Sequence, residues 1–594
     1  MKKNYLLFLI IFVVPMLGNA TNFYIDSQSG NDANSGTSPS QAWASLTKLN
    51  HTVFTAGDSI LFRANGIWTG SFSPQGSGTA GAPIVISRYG TGNKPLLRGA
   101  GVACVICFSN QSYWQVHNLE ITNTATGEAS RLGIRITANN GITNRHFHMK
   151  NLSIHDVFGR YTFEIIGKNT GGIGVRITGG GDDTRFDDIL IEGCEIYDIV
   201  RVGISSHNSQ SNANSRQGNQ PITNFVIRNN YIARCAGDGI ILRSTFKAIV
   251  ENNIGFENHN ANENLVSYGV AFWCRSADST IFQFNEVYGT KGVLDGQSFD
   301  ADFESHGAIF QYNYSHDNEG GFMLTMNGVT GTVLRYNISQ NDGYRSGHLV
   351  HFSDWNPGTY PTRGWMNFYN NTIYIPSGNV TVVDKAMANS SFSNNIICNH
   401  GTGNIQLSSQ GQTAVWRNNL IFGRNSYPND PNLITTNPML INPGSGATGM
   451  NTVDGYKLDA ASPALRSGMI IQNNGGRDYY GNQLPSGNPN RGAYGGQGVL
   501  STGLFDKTLA TETYEVYPNP CTEALLKFKI KEEVVAQSLF LQVFDLTGNK
   551  VLEEGMQRDV AEMAVNILVL RPGVYVARLK GDGEVIGDKL VVVK

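Results

Sequence analysis

A short unit recurs along most of the chain: alternating apolar residues, an asparagine, and a second short alternating stretch. Clear copies read FVIRNNYIA, IVENNIGF, IFQYNYSH, VLRYNISQ and FSNNIICN. Aligning the copies places the asparagine at 118, 151, 230, 253, 285, 313, 337, 371, 395 and 419, with Gly193 in the same place of LIEGCEIYD. The tightest spacings are 23 or 24 residues, which is the period of a solenoid and not of a sandwich.

The recurring asparagine has a structural explanation. One turn of a β-solenoid contains short strands joined by bends, and a polar side chain at a bend must find hydrogen-bond partners. Asparagines stacked in successive coils satisfy their amides along a ladder. We therefore predict that these asparagines are structural, and we exclude them from the candidate site.

Composition and the first residues place the protein outside the cell. Abundant glycine (68 of 594 residues) with only 15% charged residues fits a turn-rich all-β protein, and a net charge of -3 gives no signal for a nucleic-acid partner. Residues 1–20 contain Lys2 and Lys3, then LLFLIIFVVPMLG, then Asn19-Ala20, the order of a secretory signal peptide. No later stretch reaches the roughly 18 apolar residues of a membrane helix. We expect an exported protein with no transmembrane segment.

The seven cysteines are odd in number and scattered along the chain. Cys104 and Cys107 lack a second pair at zinc-site spacing, and residues three apart in a strand face opposite ways. Buried free thiols are therefore expected, rather than disulfides or metal ligands. The full set is Cys104, Cys107, Cys194, Cys235, Cys274, Cys398 and Cys521.

Residues 21–100 are predicted to form an N-terminal cap and the first coils, because a solenoid end exposes strand edges that need a cover. Residues 101–499 carry the repeat. Together with the opening YIDSQSGNDANSG and the closing DGYKLDAASPALRSG and NRGAYGG, the pattern resembles the right-handed parallel β-helix family of carbohydrate-active enzymes. The resemblance implies an all-β fold of about 10 to 11 coils, shared by glycoside hydrolases and polysaccharide lyases.

After Val499 the composition changes. Residues 500–513 read as a polar linker, and residues 514–594 alternate as the strands of a small β-sandwich. This part resembles the type IX secretion C-terminal sorting domain through YPNP at 517–520, DLTG at 545–548, PGVY at 572–575 and the final Lys594. The resemblance implies the type IX secretion machinery as a partner and a secreted or cell-surface location.

Strand alternation sorts side chains into core and surface. In SFDADFES the apolar Phe299, Ala301 and Phe303 form one side, so three acids point outward together. Neighbouring coils, aligned on the asparagines, extend this outward row on both sides of the acids. The predicted row comprises Arg243, Trp273, Arg275, Asp300, Asp302, Glu304, Thr325, Asn327 and His351.

The acids of this row suggest glycosidase chemistry. Coils stack about 4.8 Å apart and residues two apart in a strand lie about 6.7 Å apart, distances that retaining or inverting carboxylate pairs use. Asp300 and Asp302 are the first catalytic candidates. In the turn SHDNEGG, Glu319 or Asp317 is a candidate second carboxylate, with His316 orienting one of them. Substrate contacts are predicted from Arg243, Trp273, Arg275, Glu304, Asn327, His351 and Trp355, the tryptophans as stacking platforms for sugars.

Three functions remain open on the sequence. The first is a glycoside hydrolase that requires no cofactor and cleaves a complex, acidic or sulfated polysaccharide, with Arg243 and Arg275 binding its anionic groups. The second is a calcium-dependent polysaccharide lyase, in which Asp300 and Asp302 hold calcium with Asp295. There Arg275, Lys291 or His316 is the base. The third is a non-catalytic glycan-binding solenoid.

Overall fold

A computed structural model describes most of the chain. The described residues are 20–160, 167–209, 218–260, 268–292, 294–353, 364–376, 380–384, 389–399, 405–406, 414–423, 427–499, 514–519, 521, 524–530, 538–545, 549–556, 562–582 and 584–593. Several predicted features lie outside them: the predicted signal peptide before Ala20, the predicted linker 500–513, Trp355, part of the YPNP and DLTG motifs, and Lys594. The chain divides into two compact units, residues 1–500 and 501–594.

The first unit is a parallel β-helix, which confirms the predicted fold class. Each coil passes through three parallel sheets in turn, and each strand pairs with its counterparts in the coils before and after it. Sheet 1 has 15 described strands, sheet 2 has 13 and sheet 3 has 11. Five of the seven described strands in the 21–100 region already belong to sheets 1 and 2, so the helix begins within the predicted N-terminal part.

The strands are as follows. Sheet 1 contains Asn22–Ile25, Ser59–Arg63, Ile84–Tyr89, Trp114–His117, Thr143–Lys150, Arg185–Glu192, Ile222–Arg228, Thr245–Phe246, Ile249–Glu251, Ile281–Gln283, Ile309–Gln311, Val333–Arg335, Met366–Tyr369, Ser390–Ser393 and Val415–Arg417. Sheet 2 contains Ile67–Thr69, Leu96–Arg98, Glu120–Asn123, Ser153–Val157, Glu195–Ile199, Tyr231–Cys235, Ile254–Phe256, Glu286–Tyr288, Tyr314–His316, Ile338–Gln340, Thr372–Ile375, Ile396–Asn399 and Leu420–Phe422. Sheet 3 contains Cys104–Ser109, Leu132–Ala138, Gly171–Ile177, Val202–Asn208, Ile240–Arg243, Phe272–Arg275, Gln297–Ala301, Gly321–Thr325, His348–Phe352, Val380–Asp384 and Ile405–Gln406.

Few elements lie outside the three sheets. The strands Val53–Phe54 and Gln75–Gly76 pair with each other near the N-terminal end. The short helix Leu46–Asn50 buries Leu46 and Leu49, and the Ser45 side chain caps it by accepting from the backbone N–H of Lys48. Single-turn 3-10 helices span Pro39–Gln41, Gly167–Asn169 and Val453–Tyr456. Within the described residues, no helix is long and apolar enough to cross a membrane.

The asparagine ladder is present from Asn230 to Asn419. Nδ2 of each member donates to Oδ1 of the next at 2.9 to 3.1 Å, and every member is buried. The final member, Asn419, donates to Oδ2 of Asp430 at 3.0 Å. The ladder members are Asn230, Asn253, Asn285, Asn313, Asn337, Asn371, Asn395 and Asn419.

The alignment was wrong by one residue at positions 118, 151 and 193. Asn151 and Gly193 are in register with Asn229, the residue before the ladder, because Lys150, Glu192 and Arg228 pair across three coils. Like Asn229, both have positive φ angles and form the bend itself. Leu119, Leu152 and Cys194 occupy the ladder position in these early coils, where apolar packing replaces the hydrogen bonds.

The core is continuous along the helix axis. Phenylalanines of sheet 1 stack along it, with Phe282 and Phe310 at 4.7 Å between ring centroids and nearly parallel. Residues 427–499 cover part of the outer surface, where tyrosines of sheets 1 and 2 form a second apolar cluster with Tyr456. This covering segment is anchored by hydrogen bonds such as Arg335 Nη1 to the carbonyl of Asn473 at 2.6 Å.

Cys104 and Cys107 form a disulfide, contrary to the expectation of free thiols. Their Cα atoms are 5.8 Å apart, whereas three extended residues would span about 10 Å, so the strand bends between them and both side chains reach the same side. The other five cysteines are buried free thiols, as predicted.

The second unit consists of two antiparallel sheets. One contains Tyr514–Tyr517, Leu525–Ile530 and Glu562–Asn566; the other contains Leu539–Asp545, Lys550–Met556, Gly573–Gly581 and Glu584–Val593. Apolar residues of both sheets, among them Phe528, Leu541 and Ala577, share one core, which gives the predicted sandwich.

Candidate active site

The strand Gln297–Ala301, which carries Asp300, lies in sheet 3, and apolar and charged side chains surround its outer face. Asp300 is in register with Trp273 of the coil before it and with Leu324 of the coil after it, and Leu324 is in register with His351. Phe299 and Ala301 belong to the core, as the alternation predicted. The sequence therefore identified the outward face of this strand correctly.

One strand of the predicted row has the opposite orientation. Leu324 lies on the outer row, and Thr325 is paired with the core residue Ala301. The physical reason is that Phe322 and Met323 are consecutive and both in the core, so the alternation breaks just after Gly321, whose φ is 129°. Leu324, Trp273, Ile241, Val270 and Val202 form a small apolar cluster outside the main core, beside the acids.

Three carboxyl groups interact at this place. Burial raises the pKa of Asp300 well above its usual value, and the charges of Asp302 and Asp295 raise it further. Asp300 is 4% exposed, and its Oδ1 accepts no hydrogen bond among the described residues. Burial also raises the pKa of Asp295 to about 7, although the Lys168 charge opposes the shift. Asp295 can thus carry a proton near neutral pH, and the pKa of Asp300 is shifted in the same direction.

Asp302 has a different environment from its two neighbours. Its Oδ2 lies 3.9 Å from Nη1 of Arg275, and its Oδ1 accepts the backbone N–H of Phe303 at 2.7 Å. The guanidinium of Arg275 also lies over the Phe303 ring, 5.0 Å from its centroid. Asp302 is thus held by a backbone N–H on one oxygen and lies near a cation on the other.

A buried group of opposite charges supports Trp273. Nε1 of Trp273 donates to Oδ1 of Asp238 at 2.8 Å. Oδ2 of Asp238 contacts Nη1 of Arg201 at 2.9 Å and Nζ of Lys168 at 3.6 Å. Lys168 and Arg243 lie over the Trp273 ring at 4.4 and 5.3 Å from its centroid. The ring is 3% exposed, so it supports the site and offers no open stacking surface.

Sequence reasoning missed Asp238, Arg201 and Lys168. Asp238 precedes its strand in the turn AGDG, which resembles many other glycine turns of the chain. Lys168 belongs to a segment with no repeat spacing, so no alignment could assign its position. Burial lowers the pKa of Lys168 to about 8 despite the opposing charge of Asp238.

Arg243 belongs to the same charged group. Burial lowers its pKa to about 10, with Arg275 also lowering it and Asp302 and Asp238 opposing the shift. Arg243, Lys168, Arg176 and His207 line a cavity of about 10 Å³, room for roughly one water molecule. Lys168 and Arg201 contact Asp238, Arg275 lies near Asp302, and Arg243 interacts with both carboxylates, which reduces the negative charge that would hold calcium. The residues present do not fit a calcium site.

The remaining predicted contacts lie around the acids. Glu304 follows the strand at a bend with φ of 58°, and burial raises its pKa while Arg275 opposes the shift. Asn327 is 7% exposed, and its backbone carbonyl accepts from the N–H of Glu304 at 3.3 Å. His351 is partly exposed, with its ring 4.6 Å from that of His348. Trp355 lies outside the described residues.

Glu319 borders the loop that carries Asp295. Its Oε2 accepts from Nη1 of Arg345 at 2.8 Å and from the backbone N–H of Gly292 at 2.9 Å. Burial opposes ionisation, but these two hydrogen bonds outweigh it and lower the pKa of Glu319. A Cβ on the next residue, Gly320, would lie 1.8 Å from the carbonyl oxygen of Asp295, so only glycine fits between the two turns.

His316 and Asp317 lie apart from the acidic strand. Sequence alignment placed them in one turn, but His316 is the last residue of a sheet 2 strand. Its Nδ1 contacts Asp317 at 2.8 Å and its Nε2 contacts Glu286 at 3.2 Å, and these hydrogen bonds outweigh burial and raise its pKa to about 9. The backbone N–H of Gly449 in the covering segment also donates to Glu286.

The same triad occurs earlier in sheet 2. Nδ1 of His155 contacts Asp156 at 2.8 Å and its Nε2 contacts Glu120 at 3.2 Å. A feature repeated in two distant coils favours a structural role for both histidines.

Comparison with known proteins follows the two units of the chain. Residues 515–593 match the family described as Secretion system C-terminal sorting domain. The C-terminal unit is a secretion sorting domain. The match agrees with the resemblance seen in the sequence.

The β-helix unit resembles glycosidases. Over 92% of its length the chain is 26% identical to the lacto-N-biosidase of Bifidobacterium longum subsp. longum, and it covers 40% of that protein. Over 19% of its length it is 31% identical to alpha-1,3-galactosidase A of Akkermansia muciniphila, covering 17% of that protein. The chain thus spans about two fifths and one sixth of these relatives.

A solved structure shares the fold. The crystal structure of the GH136 lacto-N-biosidase from Eubacterium ramulus, in its selenomethionine form, superposes with a TM-score of 0.56 and 23% identity. The superposition covers 65% of this chain and 68% of that one. The fold implied by the sequence resemblance is therefore shared with an experimental structure.

Proposed function

We propose that this protein is an exported glycoside hydrolase that releases a lacto-N-biose unit from the end of a glycan. One observation carries the proposal: a carboxyl group with a pKa of about 7, Asp295, interacts with Asp302, which lies beside Arg275. An acid that still carries its proton near neutral pH, close to a second carboxyl group beside an arginine, is the arrangement that glycosidic bond cleavage needs. Similarity to a lacto-N-biosidase over 92% of the chain supports the substrate class.

The two carboxyl groups take separate roles. Asp295 is partly exposed and gives its proton to the leaving glycosidic oxygen. Asp302, as the carboxylate, acts on the anomeric carbon directly or through a water molecule, according to the separation of the pair in the complex. Asp300, buried and protonated, is a positioning residue beside Asp302. Glu319, which was a candidate second carboxylate, instead fixes the Asp295 loop through Gly292 and Arg345.

The surroundings favour a neutral sugar over an anionic one. Arg243 and Arg275 interact with Asp302 and Asp238, so their charge is already balanced inside the protein. The sequence had suggested that these arginines bind sulfate or carboxylate groups of a polysaccharide. The proposal replaces that substrate with an uncharged disaccharide terminus, and it places the calcium-dependent lyase second because the cationic neighbours disfavour calcium.

The sorting domain supports a location outside the cell. We include in the proposal a signal peptide at residues 1–20 and export by the type IX secretion machinery, with the mature protein released or held at the cell surface. Such a protein meets glycans in the surroundings of the cell, where a disaccharide-releasing enzyme has its substrates.

The test uses residues 21–594. The protein is incubated with lacto-N-tetraose, with 4-nitrophenyl β-lacto-N-bioside, and with uronate-containing and sulfated polysaccharides, each with and without EDTA. We expect disaccharide release from the first two substrates, unaffected by EDTA, and loss of that release in Asp295→Asn and Asp302→Asn. Asp183→Asn, an exposed acid on another sheet edge, is the matched control.

Two outcomes would overturn the proposal. Ultraviolet-absorbing products that disappear with EDTA would establish a lyase. A folded protein that binds glycans without releasing any product would establish a binding solenoid.

A further inference from the structure

We propose that His146, His148 and Asp188 form a binding site for a divalent transition-metal ion, of which zinc is the representative, on the outer face of sheet 1. The proposal is independent of the glycosidase function, because the acids of the candidate active site lie on sheet 3. Two imidazoles and one carboxylate are the donor set that zinc, nickel and copper prefer in proteins.

The three side chains converge on one point. Nδ1 of His146 and Nε2 of His148 lie 2.7 and 2.9 Å from different oxygens of Asp188. One ligand atom from each residue falls within 4.8 Å of the other two. Ligand atoms around one zinc ion are about 3 Å apart, since each bond is about 2.0–2.2 Å long, so a small movement of the carboxylate admits the ion.

The backbone conformation brings the two histidines close together. His146 and His148 are two apart in one strand and therefore point the same way, normally about 6.7 Å from each other. Their ring centroids are only 3.8 Å apart. His146 and Asp188 have φ angles of 60° and 59°, a left-handed conformation that is costly for residues other than glycine. Tyr113 and Asn224 have the same conformation on the coils before and after, so this bend is a regular feature of sheet 1.

A neighbouring side chain orients the first histidine. Nε2 of His146 lies 2.9 Å from the amide of Gln115, and the ring of Tyr113 stacks on it at 5.9 Å. When Nδ1 binds a metal ion, the ring proton moves to Nε2, where Oε1 of Gln115 accepts it after a rotation of the amide. A hydrogen-bonded partner on the second nitrogen is typical of metal-binding histidines.

The two histidine triads of sheet 2 show why this cluster differs. Glu120 and Asp156 contact opposite nitrogens of the single His155 ring, so their oxygens lie on opposite sides of it and cannot share one ion. The cluster at His146 has the reverse arrangement, with two rings facing one carboxylate. Among the described residues it is the only group of three or more such side chains with this convergence.

The experiment uses residues 21–594 without a polyhistidine tag, stripped with EDTA and dialysed. Zinc chloride is titrated by isothermal calorimetry, and cobalt chloride is titrated with detection of its d–d absorption. We expect one saturable ion per chain, and loss of both signals in His146→Gln and in His148→Gln. Gln115→Leu keeps the ligands and should weaken binding about 10- to 100-fold. His155→Gln is the control and should bind as the unmodified protein does.

Circular dichroism checks that each variant is folded. If a variant does not fold, Gln115→Leu and the cobalt spectrum of the unmodified chain still decide the question. A chain that binds no zinc at millimolar concentration, or that binds equally well in the His148→Gln and His155→Gln variants, contradicts the proposal.

Discussion

Nε1 of Trp273 donates a hydrogen bond to Oδ1 of Asp238, 2.8 Å away, and so joins two neighbouring coils beneath the candidate acids. The same carboxylate accepts from Arg201, whose side chain is fully buried. A single carboxylate thus binds the indole N–H of Trp273 and one nitrogen of the Arg201 guanidinium, both of them buried. The position of Trp273, and with it the apolar surroundings of Asp300, depends on this charge.

Replacing Asp238 with Asn should destabilise the β-helix strongly. The change leaves Arg201 charged, buried and without its counter-ion, at a cost of about 3–5 kcal/mol in the free energy of unfolding. Chemical denaturation followed by tryptophan fluorescence measures this. Asp198→Asn is the matched control, because its ion pair with Arg234 is 41% and 33% exposed, and such pairs contribute at most about 1 kcal/mol. Equal losses of unfolding free energy in the two variants would contradict the role of Asp238 as the counter-ion of buried Arg201.

The rate of glycoside cleavage should fall as the pH rises above about 7. Burial raises the pKa of Asp295 to about 7, and only the protonated form can donate to the leaving group. The dependence of kcat/KM on pH measures the descending limb. Asp295→Asn should lower kcat by about 10²–10⁴ on lacto-N-tetraose and abolish the limb, with a smaller loss on the 4-nitrophenyl glycoside, whose leaving group needs less protonation. A limb that persists in the variant would falsify the role of Asp295 as proton donor.

Asp300→Asn should stabilise the protein, increasingly so at higher pH. The pKa of Asp300 is raised on folding from an ordinary value of 3.8, so below that value both states are protonated. As the pH rises, the unfolded chain ionises first, and the free energy of unfolding falls until the folded pKa is reached. Asparagine removes that penalty. We expect thermal melts to show no gain at pH 4 and a gain of at least about 2 °C at pH 8; the exposed Asp183→Asn variant should show no such trend.

Asn313→Ala should destabilise the middle of the helix. Asn313 donates to the carbonyl of Phe282 and to Asn337, and its Oδ1 accepts from both the backbone and the side chain of Asn285. Removing it leaves buried donors and acceptors unpaired at about 1–3 kcal/mol each. Denaturation measures the loss, with the exposed Asn93→Ala as control. A change below about 0.5 kcal/mol would show that water replaces the amide.

The fold was predictable because its signal is repeated. Eight asparagines recur at coil spacing for one reason, because a buried amide must form hydrogen bonds. Misplacing any one of them in the alignment does not change the prediction of a solenoid. The error at Asn118 and Asn151 arose because the bend before the ladder also selects asparagine, for its tolerance of positive φ.

The candidate site was only partly predictable, because its members are not repeated. Alternation identified Asp300, which lies in the regular strand Gln297–Ala301, and Asp302, which follows directly after that strand. It failed at Thr325, where Phe322 and Met323 break the alternation. Asp238 and Lys168 act through long-range ion pairs that carry no local pattern. The pKa of Asp295 depends on those pairs, so the sequence named this residue only as a calcium ligand.

The asparagine ladder has a direction. Every side-chain amide donates to the asparagine of the next coil toward the C-terminal end. The last amide has no further asparagine and needs another acceptor. Asp430 meets this need: its carboxylate accepts the backbone N–H and Nδ2 of Asn419 at 2.8 and 3.0 Å. The eight aligned side-chain amides therefore end on a carboxylate. Asp430 thus fixes where the asparagine ladder stops. An inserted coil could extend the helix only upstream of Asp430.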